Sequence, residues 1–180
     1  MSRAVLSARA GGSRIAAHPS YEDREHFGRV SLDVAPDALT ESIRRQCAQL
    51  REIAGDVRFA KPHGALYHDA GRDPARARAL LDGIDAALGK VGIIGPPGLQ
   101  ALAEQRGFAF FHEGFADRRY AADGTLMPRS EPGAVITNPV DASVQARVLL
   151  ASERFRALCV HGDNPAGLEI ARAVRDVLLE

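Results

Sequence analysis

The chain has 180 residues, with 23 basic and 23 acidic side chains and therefore no formal net charge. That length suits one domain with a real core. Balanced charge leaves no electrostatic footprint for nucleic acid or an anionic membrane, and no apolar run approaches a membrane span, so neither partner is expected. The opening MSRAVLSARAGGSR has arginines but no sustained apolar stretch, so it does not read as a secretory leader. Cys47 falls in a predicted helix and Cys159 in a predicted strand. Both are read as reduced core residues of a cytoplasmic protein. With no Cys-x-x-Cys pair, a structural zinc site is not expected.

In chain order, short apolar runs alternate with helical ones. Residues 2–10 predict a helix stopped by Gly11-Gly12, and RIAAH (14–18) reads as the first strand. Residues 36–55 place Leu39, Ile43, Cys47, Leu50 and Ala54 on one stripe, the spacing of an amphipathic helix. VRFAK (57–61) is the second predicted strand. Residues 73–89 predict a helix capped by Asp73, with Pro74 in its first turn and Gly89 at its end. VGIIG (91–95) is the third strand, 97–107 a short helix, and FAFFH (108–112) the fourth strand. Residues 113–137 follow as an irregular stretch, too long for an ordinary connection and therefore expected to be functional. The last two helices are predicted to open at Asn138-Pro139 and Asn164-Pro165, either side of a fifth strand, ALCVH (157–161). Nearly continuous apolar strands alternating with helices predict a parallel α/β fold in one domain, 1–180. A doubly wound open sheet and a β/α barrel both satisfy that pattern.

Polar residues collect where the strands stop: AAHPS, AKPHG, IGPPG, FHEGFADR and CVHGD. In parallel α/β folds this edge is where ligands bind. One strand-end histidine is ordinarily a hydrogen-bonded structural residue. Three of them, His18, His63 and His161, point to a shared polar rim. Lys61 and His63 alternate about Pro62, so both can lean to one side. Arg24 and Arg29 lie in a mixed-charge run, 20–29, which is either a solvated loop or a clamp for a carboxylate. Asp163 is either a helix cap or part of the rim. GIDAALGK is not a phosphate loop: its glycines are one residue too far apart and Val91 stands where Ser or Thr is needed. There is no Gly-x-Ser-x-Gly elbow and no His-Glu-x-x-His.

Four strings, AAHPSYEDREHFGR, KPHGALYH, EGFADRRYAADGTLMPRS and CVHGD, together resemble the LamB/YcsF family, the A subunits of bacterial ATP-dependent 5-oxoprolinases. They occur in the family's order and span most of the chain. The resemblance implies a β/α barrel of the glycoside hydrolase and deacetylase type. It implies ring opening of 5-oxo-L-proline to L-glutamate, coupled to ATP hydrolysis. Two partner subunits, B and C, are implied to bind and use the ATP, which agrees with the absence of a phosphate loop here. Family members begin with a strand carrying Asp-Leu-Asn-x-Asp-x-Gly-Glu, then one carrying Gly-Phe-His-x-Gly-Asp. Neither string occurs here. The chain is therefore expected to hold about five strands of an incomplete barrel, with impaired activity and self-association through the open edges. Deacetylase barrels bind a metal through an Asp and two His. Only His18 could correspond to such a ligand, so the metal is left unknown.

The chemistry needs a base for water, a cation for developing charge and a guanidinium for the α-carboxylate. His63 is assigned as the base and Lys61 as the cation, with His18, Glu113 and His161 completing the catalytic rim. Arg24, Arg29, Tyr67, Arg118 and Arg129 are the substrate-binding candidates, with Asp163 beside them and Asp117 and Asp123 expected to hold the arginines. Two other readings compete: a metal-dependent deacetylase-like amidohydrolase acting on sugars or amides, and a non-catalytic fragment of a split protein.

Overall fold

The helical stripe at Leu39, Ile43, Cys47 and Ala54 organises the first half of the molecule, because all four residues are buried. Removing one such aliphatic side chain from water contributes about 1.5–3 kcal/mol. The structure is a computed structural model describing residues 1–180. It divides into two compact units, Met1–Phe111 and His112–Glu180.

The first unit contains α1 (Ser2–Ala10), β1 (Ala16–Ala17), α2 (Pro36–Ala54), β2 (Phe59–Ala60), α3 (Gly64–Ala70), α4 (Pro74–Leu88), β3 (Gly92–Gly95) and α5 (Gln100–Gln105). Helix α2 lays its stripe on α4, where Gly83 permits the approach: a Cβ there would press on Thr40 O and the Ile43 side chain. Arg51 Nη1 donates to Ala87 O at 2.8 Å, and Arg9 of α1 donates to Ala54 O at 2.9 Å, satisfying carbonyls at two helix ends. Strands β1, β2 and β3 run parallel, with Ala17 opposite Ala60 and Ala60 opposite Ile93. Ile93 N donates to Ala109 O, which starts the approach to the next strand.

That strand, β4 (Phe110–Phe115), crosses into the second unit. There it runs parallel to β5 (Ala157–Cys159), with Phe115 opposite Cys159. Helices α6 (Pro139–Ala151) and α7 (Gly167–Leu178) bury Ala142, Ala146, Ile170, Val174 and Val177 with Ala116 and Ile136 in a second core. Helix α6 also carries an outward ridge: Val140, Val144 and Val148 are 67%, 56% and 65% exposed.

The α/β expectation of about five parallel strands holds, and four local details differ. The strands are shorter than their apolar runs. Pro19 and Pro62, which cannot donate to a ladder, lie just past β1 and β2. Strand β4 runs on through Glu113, Gly114 and Phe115, residues that the sequence pattern assigns to the irregular stretch. Gly114 packs tightly there, since a Cβ would sit 3.0 Å from the Leu149 side chain. Helix α3 is not anticipated by the sequence pattern, because seven residues of mixed polarity after Pro-His, opening on a glycine, read as loop. Finally, Cys47 is fully buried as expected, whereas Cys159 on β5 is only half-buried.

The Asx-Pro openings behave in two ways. Asp73 accepts from Ala75 N and Arg76 N, and Asn138 accepts from Val140 N, so both cap their helices. Asn164 does not sit at the helix start, since α7 begins at Gly167. Its amide is used elsewhere. No helix is long and apolar enough to cross a membrane.

Candidate functional site

In the first unit the parallel alignment continues past the strands. Lys61 N donates to Ala17 O, and His63 N donates to Pro19 O, both at 2.9 Å. This brings His18 and His63 together. His18 Nδ1 lies 2.8 Å from Lys61 O, and His63 Nε2 lies 2.8 Å from Phe27 O. A carbonyl only accepts, so both of these ring nitrogens carry hydrogen. The remaining nitrogens, His18 Nε2 and His63 Nδ1, face each other at 3.0 Å. They form a hydrogen bond only when the pair holds one further proton, which makes it a cation. The rings stand edge to face, with centroids 4.8 Å apart.

The loop 20–29 closes over this pair. Phe27 and Gly28 have φ of 57° and 68°, and that turn aims their carbonyls at His63 and at Ala65 N. Gly64, with φ of 58°, starts α3 where an added Cβ would overlap the Gly28 carbonyl. Gly98 is built the same way: a Cβ there would overlap the carbonyl oxygen of Gly71. The Phe27 ring stands 5.3 Å from His63, and the Arg29 guanidinium lies 5.0 Å over Phe27. Arg24 and Arg29 are exposed on this loop, and Tyr67 is buried on α3. Tyr21 donates to Asp69 Oδ2 at 2.8 Å and Ser31 donates to Asp69 Oδ1 at 3.0 Å, so Asp69 ties the loop to α3. Burial, then the bond to Asp69, raises the Tyr21 hydroxyl well above the tyrosine range. At Asp23, burial pushes the carboxyl up, but hydrogen bonds from the His26 amide and ring outweigh it and hold it low.

In the second unit the register Phe115–Cys159 has a direct consequence. Two residues on from each partner stand Asp117 and His161, and they meet. Asp117 is fully buried. Its Oδ1 accepts from His161 Nδ1 at 2.8 Å, and its Oδ2 accepts from His161 N at 2.9 Å and Asn164 Nδ2 at 3.2 Å. Burial disfavours the carboxylate, yet the His161 ring, the His161 amide and Asn164 together lower its pKa below the usual value. The Phe115 ring stacks on His161 at 5.9 Å. Asn164 also donates to Ile136 O and accepts from Ala166 N, which accounts for the displaced start of α7.

The other predicted site residues of this unit have local partners. Glu113 lies within β4, 6% exposed. Arg118 is buried and donates to Met127 O. Arg129 pairs with Asp163 at 3.0 Å. Asp123 accepts from Thr125 N at 2.9 Å and Thr125 Oγ1 at 2.7 Å, forming a turn, and Asp117 holds a histidine. Neither aspartate holds an arginine as expected. Sequence reasoning also missed Gln145 of α6, whose amide donates to the carbonyls of Phe115, Ala116 and Arg118 and pins the turn that carries Asp117. No group of three or more His, Cys, Asp or Glu side chains is arranged to hold a metal ion.

The sequence pattern of the LamB/YcsF family matches residues 1–180. The chain belongs to that family. Within it, the 5-oxoprolinase A subunit from Streptomyces griseus is 43% identical over 100% of this chain and 79% of its own length. A 5-oxoprolinase A subunit from Pseudomonas syringae is 38% identical, over 98% of this chain and 76% of its own. The crystal structure of a lactam utilization protein from Thermus thermophilus superposes with a TM-score of 0.86 at 32% identity. The match covers 99% of this chain and 78% of that one. This LamB/YcsF chain thus shares the α/β fold of a solved relative across nearly its whole length.

Proposed function

We propose that the protein is the A subunit of a 5-oxoprolinase, a hydrolase that cleaves the cyclic amide of 5-oxo-L-proline to give L-glutamate. The supporting observation is family membership over the full chain, together with relatives of that name at 43% and 38% identity. The assembly we have in mind is cytoplasmic and includes subunits B and C, which supply ATP-dependent activation. A lactam is an unreactive amide, and transfer of phosphate to its oxygen makes the ring carbon electrophilic. One water then opens the ring and a second releases phosphate from the resulting acyl phosphate. Lactam, ATP and two waters become glutamate, ADP and phosphate.

In this reading Lys61 stabilises the charge that develops on oxygen. The His18–His63 pair, poised to hold one shared proton, acts in proton transfer. Arg24 and Arg29 on the neighbouring loop are the guanidiniums for the α-carboxylate. Mixing the protein with subunits B and C, ATP and 5-oxoproline should release glutamate only when ATP is present. Lys61→Ala and His63→Ala should each lower kcat by about 10²–10³-fold. No glutamate from the wild-type mixture overturns the function, and near-normal rates in both variants overturn the roles. Light scattering on the same preparation tests the expected self-association.

A further inference from the structure

We infer that Phe27 is the residue that recognises the flat ring of the lactam, its phenyl forming the platform on which that ring stacks. The inference rests on the functional reading above and deepens it from charge to shape. Every group it uses belongs to the first unit.

The backbone supplies the first reason. Phe27 has φ of 57°, a conformation that a residue with a Cβ adopts at a cost and glycine adopts freely. The main chain there presents its carbonyl to His63 Nε2 at 2.8 Å. Glycine would present the same carbonyl with less strain. The next position has that solution: Gly28, with φ of 68°, offers its carbonyl to Ala65 N. The turn therefore does not account for a phenyl at position 27. Packing does not account for it either, since Phe27 is 60% exposed and belongs to neither hydrophobic core.

The surroundings of the phenyl supply the second reason. The His63 ring meets it edge to face, with centroids 5.3 Å apart and planes at 81°. The Arg29 guanidinium lies 5.0 Å from its centroid. One exposed ring thus joins the proton-transfer pair to a guanidinium assigned to the α-carboxylate. 5-Oxoproline carries the matching parts: a planar amide in a five-membered ring, with the carboxylate on the carbon next to nitrogen. A carboxylate held by Arg29 is held beside the phenyl, and the ring attached to it reaches the exposed phenyl surface. A flat amide offers a π-face, as a nucleobase does, and such faces stack on aromatic side chains. Charge alone would hold any small carboxylate, whereas the phenyl selects a flat one. A lone exposed phenylalanine is ordinary on a protein surface. The strained backbone and the two partners set this one apart.

Three variants separate the ring from the turn. Phe27→Gly suits the backbone and removes the phenyl. Phe27→Leu keeps apolar bulk without a flat face, and Phe27→Tyr keeps the face. With subunits B and C, ATP and 5-oxoproline, Phe27→Gly and Phe27→Leu should raise KM by about 10–100-fold with little change in kcat. Phe27→Tyr should stay near wild type. With ATP withheld, saturating the aromatic protons of the wild-type assembly should transfer saturation to the ring protons of bound 5-oxoproline. Phe27→Gly should lose that transfer and Phe27→Tyr should keep it. A wild-type KM in Phe27→Gly, or no transfer in a wild-type assembly that turns the lactam over, overturns the role of Phe27 and leaves the function standing. A wild-type mixture that releases no glutamate overturns the functional reading, and this inference with it.

Discussion

The buried carboxylate of Asp117 ties stability to pH. Its pKa is lowered in the folded state by His161 and Asn164. A lowered acid contributes stability that is full above the unfolded value, about 4, and is lost as pH falls through the folded value. Asp117→Asn removes the charge but not the shape, so it should cost about 1–2 kcal/mol at neutral pH. The gap to wild type should close as the solution is acidified. Urea unfolding of both proteins across that range measures it, and a gap independent of pH would contradict the assignment. This residue also marks the limit of reading by string. His18, Lys61, His63 and His161 were legible because each follows an apolar run. The pairing of Asp117 with His161 was not, because their 44-residue separation hides a contact made only by strand register. Adjacent parallel strands place residues at equal distances past their ends side by side, but using that rule needs the true end of β4 at Phe115, three residues beyond the predicted one.

At the level of elements, amphipathic spacing and caps carried most of the information. The α2 stripe, the Asp73 cap and the Asn138 cap are where periodicity and Asx-Pro chemistry put them. Helix α3 escaped because tertiary contact, rather than propensity, holds it. Asp69 binds Tyr21 and Ser31, and Ala65 N binds Gly28 O. The start of α3 is accordingly its weak point. Gly64→Ala would place a Cβ-bearing residue at φ of 58° and drive that Cβ into the Gly28 carbonyl. Left-handed backbone and overpacking together should cost about 2–4 kcal/mol. The turn at Phe27 would move, and with it the carbonyl that orients His63. Chemical denaturation reads the first effect, and the His63 ring resonances read the second. Wild-type stability in this variant would mean that the two backbones do not touch in solution.

Across the whole molecule, strand–helix alternation was enough to set the α/β class, because a parallel strand needs a crossover before its neighbour can form. The division into two cores was not legible, since apolar content is spread evenly along the chain. Cys47 reports on the first of those cores. Burial pushes the Cys47 thiol up to about 12, and no part of the residue is exposed. At neutral pH, labelling of native Cys47 should therefore require the first unit to open, and its rate should rise with urea in parallel with unfolding of that unit. Rapid labelling of Cys47 without denaturant would show that its helix is not packed as described.

The close backbone approaches at Gly28–Gly64 and Gly71–Gly98 constrain the gene as well as the fold. Every amino acid other than glycine brings a Cβ, so no codon change that alters residue 64 or 98 can be mild. In a library covering every substitution, these two codons should be as intolerant as any at the site, although neither glycine has a side chain with which to do chemistry. Intolerance there would record where one stretch of main chain rests on another, and it should not be mistaken for a mark of catalysis.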